Sequence, residues 1–434
     1  MKYSQFNSIL PFDEHFIMFN TYSNGLLALE PMLKDLIEAA RAEGIDNLEE
    51  VHPSLFQAMK ENGFLIENET DEVEKIKQLR YAIDFNESTY HLTINPTMNC
   101  NFKCWYCYET HVKNSRMSEE IIERVNTFLT TQIVHNEKIR SFNLSWFGGE
   151  PLLYFYDIVL PIMNHFNKVS DEKQIERGIN FTSNGYLINQ KMVDVFKKNN
   201  VTALQITLDG YGEEHDTVRY VSSTRGSYEK IIENVLLMLK HEIFIRLRIN
   251  YTHTNIHNCH KIIDDLMPLN QRERQFLMLD FHRVWQDHVP QQEGFISAQI
   301  DKFRKAGFTV NSNLSMDNVR NSCYADKKNS AVINYNGDVF KCTARDFTTF
   351  KRDGYINEGG EIIWENGSLE NRMDIKFKNK PCLSCKLLPV CNGGCSQHAV
   401  EYIAKGEEYC IFDHDENKKN EVVRQKIKDL IDID

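Results

Sequence analysis

The sequence predicts an α/β protein in three parts: a small winged-helix-like unit at residues 1–85, a partial (β/α)6 barrel at 86–309, and a cysteine-rich domain at 310–434. Three observations carry this reading. From about residue 88 onward, strand-like and helix-like segments alternate through six repeats. The first 85 residues show a hairpin-and-helix pattern instead. Ten of the eleven cysteines fall in clusters, three just after the first strand of the alternation and seven beyond residue 310.

The N-terminal unit is read from its apolar spacing. Residues 16–19 and 26–29 flank Ser23-Asn24-Gly25, which predicts a β-hairpin with an Asn-Gly turn. Leu33, Leu36 and Ile37 fall at helical spacing, as do Leu55, Phe56 and Met59. Gly63 stops the second helix, residues 64–66 form a returning strand, and the charged stretch 71–80 reads as a linking helix. In the middle part, strands are expected at 91–95, 141–146, 179–182, 203–208, 244–251 and 276–281, with helices at 118–131, 190–198 and 227–240 among those between them. Six βα units with right-handed crossovers imply a parallel sheet curved into a partial TIM barrel, with chemistry at the C-terminal ends of its strands. Beyond about residue 310 the alternation fades, which suggests a domain held in part by metal, and a charged helical tail follows Cys410.

Composition narrows the function classes. A net charge of −12 without a basic stripe argues against nucleic-acid binding. No apolar run approaches membrane-spanning length and the N-terminus lacks a signal-peptide core, so a cytoplasmic location is expected. Eleven cysteines in such a chain point to metal or redox centres rather than disulfides. Cys259 stands apart and reads as a structural thiol.

The chemistry begins at Cys100, Cys104 and Cys107, in Cys-Asn-Phe-Lys-Cys-Trp-Tyr-Cys. An iron–sulfur cube takes four cysteines. A compact C-x3-C-x2-C triplet supplies three and leaves one iron open to a reactive ligand. Structural zinc with a distant fourth ligand is the alternative, but this spacing is unusual for it. Gly148-Gly149-Glu150-Pro151 follows the second strand, where two glycines let backbone approach a ligand closely.

On these residues the chain resembles the radical S-adenosylmethionine (SAM) enzymes, with C-x3-C-x2-C after strand one and Gly-Gly-Glu-Pro after strand two. The resemblance implies that Cys100, Cys104 and Cys107 hold a [4Fe-4S] cluster whose open iron binds SAM, and that reductive cleavage yields a 5′-deoxyadenosyl radical that abstracts hydrogen from carbon. By motif, Tyr106 lies against adenine, Gly148, Gly149 and Glu150 meet the methionine amino group, and Ser183 and Asn184 face the ribose. Arg248 either pairs with the SAM carboxylate or is structural. Asp209, Gly210, His215, Asp216 and Arg219 resemble a common family stretch, read here as structural. Cys323, Cys342, Cys382, Cys385, Cys391, Cys395 and Cys410 resemble the SPASM extension, which carries two auxiliary [4Fe-4S] clusters and brings the total to three. The family's pairing puts Cys382, Cys385, Cys391 and Cys410 on one, and Cys323, Cys342 and Cys395 on the other. Seven ligands for eight places imply a second open iron, closed by substrate, water or a side chain such as Asp317.

SPASM enzymes act on peptides and proteins, and the N-terminal unit is similar to leader-recognition elements that add a leader peptide as a strand. The resemblance therefore implies a maturase that installs a thioether, carbon–carbon or ether cross-link in a ribosomally made precursor peptide. Its partners are that peptide with its leader and a low-potential electron donor of flavodoxin or ferredoxin type. Two alternatives stay open. An anaerobic sulfatase-maturating enzyme generally has an aspartate just after the second SPASM cysteine, whereas this chain has Thr343 there and Asp346 later. A peptide epimerase needs a thiol hydrogen donor, and Cys259 is the unassigned one. A noncatalytic iron–sulfur protein needs no SAM pocket, which residues 148–151 and 182–185 argue against.

Overall fold

The computed structural model describes residues 1–222, 224–289, 294–311, 319–344 and 346–431. Asp317 lies outside the described residues. The chain forms two compact units: Met1–Asn86 with Leu314–Lys328 and Leu369–Asp434, and Glu87–Asn313 with Asn329–Ser368.

In the first unit, β1 (Asn7–Phe12), β2 (His15–Asn20) and β3 (Leu26–Leu29) make an antiparallel sheet with β2 in the middle. The expected hairpin is β2–β3. Its connection is shaped by Asn20, whose Oδ1 accepts the N–H groups of Tyr22 and Ser23, each at 2.9 Å. Strand alternation explains the continuous apolar run in β2, because both of its faces are buried. Met18 and Phe16 pack toward α1 (Pro31–Glu43) and α2 (Pro53–Glu61), in a core with Ile37, Met59 and Phe64. Ile17 and Phe19 pack with Leu10 against Leu387, Val390 and Val423 of the cysteine-rich segment and the helix Glu416–Ile431. Gln5 Nε2 donates to the Leu383 carbonyl at 3.3 Å, and Thr21 Oγ1 donates to that of Lys386. The linking helix is α3 (Glu72–Asp84), opened by Asp71 capping the Glu74 N–H at 2.9 Å.

The second unit is built on one large mixed sheet. Six strands, β4 (Thr89–Ile94), β5 (Ser141–Trp146), β6 (Glu176–Ser183), β7 (Ala203–Leu208), β8 (Phe244–Tyr251) and β9 (Leu277–Arg283), run parallel in sequence order. Helices Glu119–Thr130, Gln190–Lys198 and Tyr228–Lys240 supply crossovers, as the sequence predicts. The sheet resembles a partial barrel. It extends past β9 by the parallel strand Thr309–Asn311, and past β4 by the parallel strand Ser330–Ile333 and three antiparallel strands ending at Ile362–Trp364. Its apolar face buries Leu92, Leu144, Trp146, Leu204, Leu247 and Leu279 completely. Among the described residues no helix is long and apolar enough to cross a membrane.

Candidate active site

The loop after β4 is tied shut at its base. Thr97 Oγ1 donates to the Ser115 carbonyl at 2.6 Å, Ser115 Oγ accepts the Met98 N–H at 3.0 Å, and the Val112 N–H reaches the Met98 carbonyl at 3.1 Å. Phe102 anchors it from within, buried and edge-on to Tyr186 at 5.7 Å. Cys100, Cys104 and Cys107 thereby line one cavity of about 190 Å³. Its other walls come from the ends of the parallel strands: Phe147 to Gly149 after β5, Thr182 to Asn184 at β6, Gln205 and Thr207 on β7, Arg248 and Asn250 on β8, and Arg283 on β9.

The glycine turn is fitted to the cysteine loop. Gly149 has φ +40°, and a Cβ there would lie 2.3 Å from the Asn99 carbonyl oxygen; at Gly148, φ +77°, it would lie 2.6 Å from Asn95 Cβ. The Glu150 N–H donates to that same Asn99 carbonyl at 2.9 Å. Glu150 itself is fully buried behind the cavity lining. Its carboxylate accepts Ser183 Oγ–H at 2.9 Å, the Asn184 N–H at 2.8 Å and the Leu152 N–H at 3.0 Å. Burial raises its pKa against these donors. Glu150 and Ser183 thus brace two strand ends against each other, while Gly148, Gly149, Ser183 and Asn184 line the wall. Asn184 Nδ2 also donates to Asn101 Oδ1, beside Cys100, at 2.7 Å.

Tyr106 is held by its phenol. The hydroxyl donates to the Asp209 carboxylate, whose oxygens lie at 2.6 and 2.8 Å, and accepts from Arg219 Nη2 at 2.7 Å and Asn250 Nδ2 at 2.9 Å. Asn250 Oδ1 in turn accepts from Arg248 Nε at 2.9 Å. The predicted Tyr106 and Arg248 are therefore brought together through Asn250. Sequence reasoning missed that residue, Arg283, and also Gln286, whose side chain donates to the Tyr106 carbonyl at 3.0 Å. It also missed Glu109, whose carboxylate accepts the Gly149 N–H at 2.7 Å and is pushed by burial up to about 7. Its position two residues past the triplet was the available signal.

The donor chemistry fits an iron–sulfur cluster with SAM. Three thiols face a cavity that Arg219, Arg248 and Arg283 also line, so anionic thiolates and a carboxylate-bearing ligand meet cations. Burial pushes Cys100 up to about 12, a cost that thiolate–metal bonding reverses. Cys107, Glu109 and His111 also bring donor atoms within 4.8 Å of one another. Glu109 is engaged by Gly149, however, and soft thiolates select iron–sulfur chemistry. In the first unit, Cys382, Cys385, Cys391 and Cys410 line a second cavity walled by Leu387, Leu388, Tyr409 and Phe412, a four-thiol set suited to a fully ligated cube. Asn379 Nδ2 donates to Cys382 Sγ at 3.0 Å. Cys323 and Cys395 belong to the first unit and Cys342 to the second. Cys259 is fully buried in the core of the second unit, its thiol donating to the Asn255 carbonyl at 3.3 Å, and it does not line the triplet cavity.

A three-cysteine loop, a glycine turn seated on it and a cationic wall, all at the C-terminal ends of parallel strands, mark a radical SAM domain. Residues 94–266 match the Radical SAM superfamily. Among relatives, the cysteine-type anaerobic sulfatase-maturating enzyme of Clostridium novyi is 24% identical over 337 residues, spanning 72% of this chain and 89% of that protein. Native anSMEcpe with bound AdoMet shares the fold at a TM-score of 0.57 and 18% identity, over 79% of this chain and 98% of that one. SuiB of Streptococcus suis, bound to precursor peptide SuiA, shares it at a TM-score of 0.54 and 16% identity, over 95% of this chain and 99% of that one.

Proposed function

We propose that this enzyme is a cytoplasmic maturase that cross-links a ribosomally made precursor peptide captured through its leader. The observation that carries this reading is the extent of the likeness to peptide-bound SuiB. At 95% of the chain, it leaves too few residues uncovered to omit the N-terminal unit. That unit offers a place for a leader. Among the described residues β3 is an edge strand, with Leu26 and Leu27 half-buried and Ala28 exposed, suited to accept an added strand.

With the cluster and SAM bound, the cofactors supply a primary carbon radical that takes a hydrogen atom from the substrate. The chain's own residues do the rest. Gly148 and Gly149 bring backbone close to the cysteine loop, Arg248 faces the cavity to meet a carboxylate, and Asn184 braces the loop beside Cys100. Cys382, Cys385, Cys391 and Cys410 would hold an auxiliary cluster in the four-thiol cavity, which would supply an electron acceptor. A further auxiliary cluster rests on the spacing of Cys323, Cys342 and Cys395 alone. A flavodoxin- or ferredoxin-type donor completes the electron path.

A second reading is favoured by the sulfatase-maturating relatives: oxidation of a cysteine or serine in a protein substrate. Thr343, where that group generally has an aspartate, speaks against it, and Asp346 is paired with Lys351 at 3.7 Å. Epimerisation loses its donor, since Cys259 is sealed in the core.

The test is anaerobic reconstitution with SAM and dithionite, with candidate precursor peptides drawn from short neighbouring reading frames and, separately, a sulfatase-derived peptide. The expected result is 5′-deoxyadenosine together with loss of two hydrogens from the precursor, both abolished when Cys100, Cys104 and Cys107 are replaced by alanine. Modification of the sulfatase peptide alone selects the second reading. Intact clusters without 5′-deoxyadenosine overturn both.

A further inference from the structure

The stretch from Asp209 to Ser227 closes a hydrogen-bonded ring. The Asp209 N–H donates to His215 Nδ1 at 3.1 Å, which leaves the His215 proton on Nε2, 3.0 Å from Ser227 Oγ. Ser227 Oγ donates to the Arg219 carbonyl at 2.8 Å, and Arg219 Nε returns to the Asp209 carboxylate. Asp216 Oδ1 secures the far side by accepting the N–H groups of Ser227 and Tyr228 at 2.7 and 2.9 Å. These bonds fix Asp209 and Arg219 relative to each other. What projects from the ring is one guanidinium and one carboxylate, and both meet the same phenol, that of Tyr106.

The pair is also oriented. Arg219 lines the cavity of the three thiols, whereas Asp209 lines the neighbouring cavity on the other side. The positive end of a buried ion pair, 1% exposed at Asp209, therefore faces the cysteines.

We propose that Tyr106 and Arg219 are positioning residues for the triplet cluster: the Tyr106 phenol latches the cysteine loop to the Asp209–Arg219 ring, and the Arg219 guanidinium balances the negative charge of the thiolate-bound cluster. The two roles separate by substitution. Tyr106→Phe cuts the latch and keeps the charge. Arg219→Gln removes the charge, and Arg219→Lys restores it without the fork that reaches Tyr106 and Asp209 together. Net charge and hydrogen bonding near the sulfurs are the protein's levers on cluster potential.

The experiment uses the full-length reconstituted protein. The triplet cluster is identified by the EPR signal that shifts on adding SAM, and is followed by redox titration and by iron release to a chelator. Tyr106→Phe should release that cluster's iron about tenfold faster, the loss of a hydrogen bond to charged partners, with its potential nearly unchanged. Arg219→Gln should move the potential to more negative values, and Arg219→Lys should bring it back toward wild type. If Arg219→Gln does not accumulate as folded protein, Arg219→Lys carries the test through its own release rate, expected to match Tyr106→Phe. Wild-type release rates in Tyr106→Phe and Arg219→Lys overturn the latch. A wild-type potential in Arg219→Gln, or a potential in Arg219→Lys displaced as far as that of Arg219→Gln, overturns the charge role.

Discussion

His215 is wholly buried and its pKa lies well below the ordinary histidine value, chiefly because burial penalises the imidazolium. Its Nδ1 is committed as an acceptor, so protonation must break the ring at Asp209. The unfolded chain binds this proton below about pH 6.5 and the folded chain does not. The contribution is therefore complete above about pH 6.5 and lost as the pH falls below it, at up to about 1.4 kcal/mol per pH unit. Urea unfolding of the metal-free protein across that range should show the slope, and His215→Gln should flatten it; equal slopes in both would assign it to another group. Gly149→Ala makes a second prediction. With φ at +40° and the Asn99 carbonyl 2.3 Å from the new Cβ, strain of order 1–3 kcal/mol falls on the cysteine loop. Iron at the triplet should drop while iron at the four-thiol site stays. The cysteines and glycines of this site were legible because their chemistry is local. The setting of Tyr106 was not, because its partners lie 103, 113 and 144 residues away along the chain.

At the level of elements, the six parallel strands stand out in the sequence because each is a compact apolar segment between helical repeats. β1 escaped notice because Pro11 interrupts it. An edge strand tolerates that proline, and β1 is one. The strand Ser330–Ile333 escaped because four residues buried on both faces carry no alternation. β2 is the element with the widest consequence. Replacing Phe19 by alanine should cost about 3–5 kcal/mol, the usual toll for a buried phenylalanine. Because Leu387 and Val390 lie between the cysteines of the four-thiol set, its iron should fall as well. Met32→Ala, at a side chain 80% exposed, should change neither. Urea midpoints and iron-to-protein ratios distinguish the two.

Across the whole molecule, the two compact units do not follow the order of the chain, since the first gathers both ends of the sequence. Removal of residues 1–85 therefore tests more than leader capture. The truncated chain should keep the triplet's iron and the cleavage of SAM, lose peptide processing, and also lose the iron of the four-thiol site, because the sheet that covers Leu387 and Val390 is gone. Retained four-thiol iron would show that the cysteine segment folds without the sheet. This union of distant segments was illegible in the sequence: an apolar face reveals that it is covered, not by what.

The same union sets a timetable for biosynthesis. Gln5 bonds to the backbone of Leu383, and Thr21 to that of Lys386, across 378 and 365 residues. At ribosomal rates of about 5–20 residues per second, the first strands emerge roughly 20 to 75 s before their partners exist. For that interval Leu10, Ile17 and Phe19 stand bare on a nascent chain, a natural target for chaperones. The four-thiol site can be furnished with iron only once Cys410 has been made, so the unit begun by the first strands is completed long after they emerge.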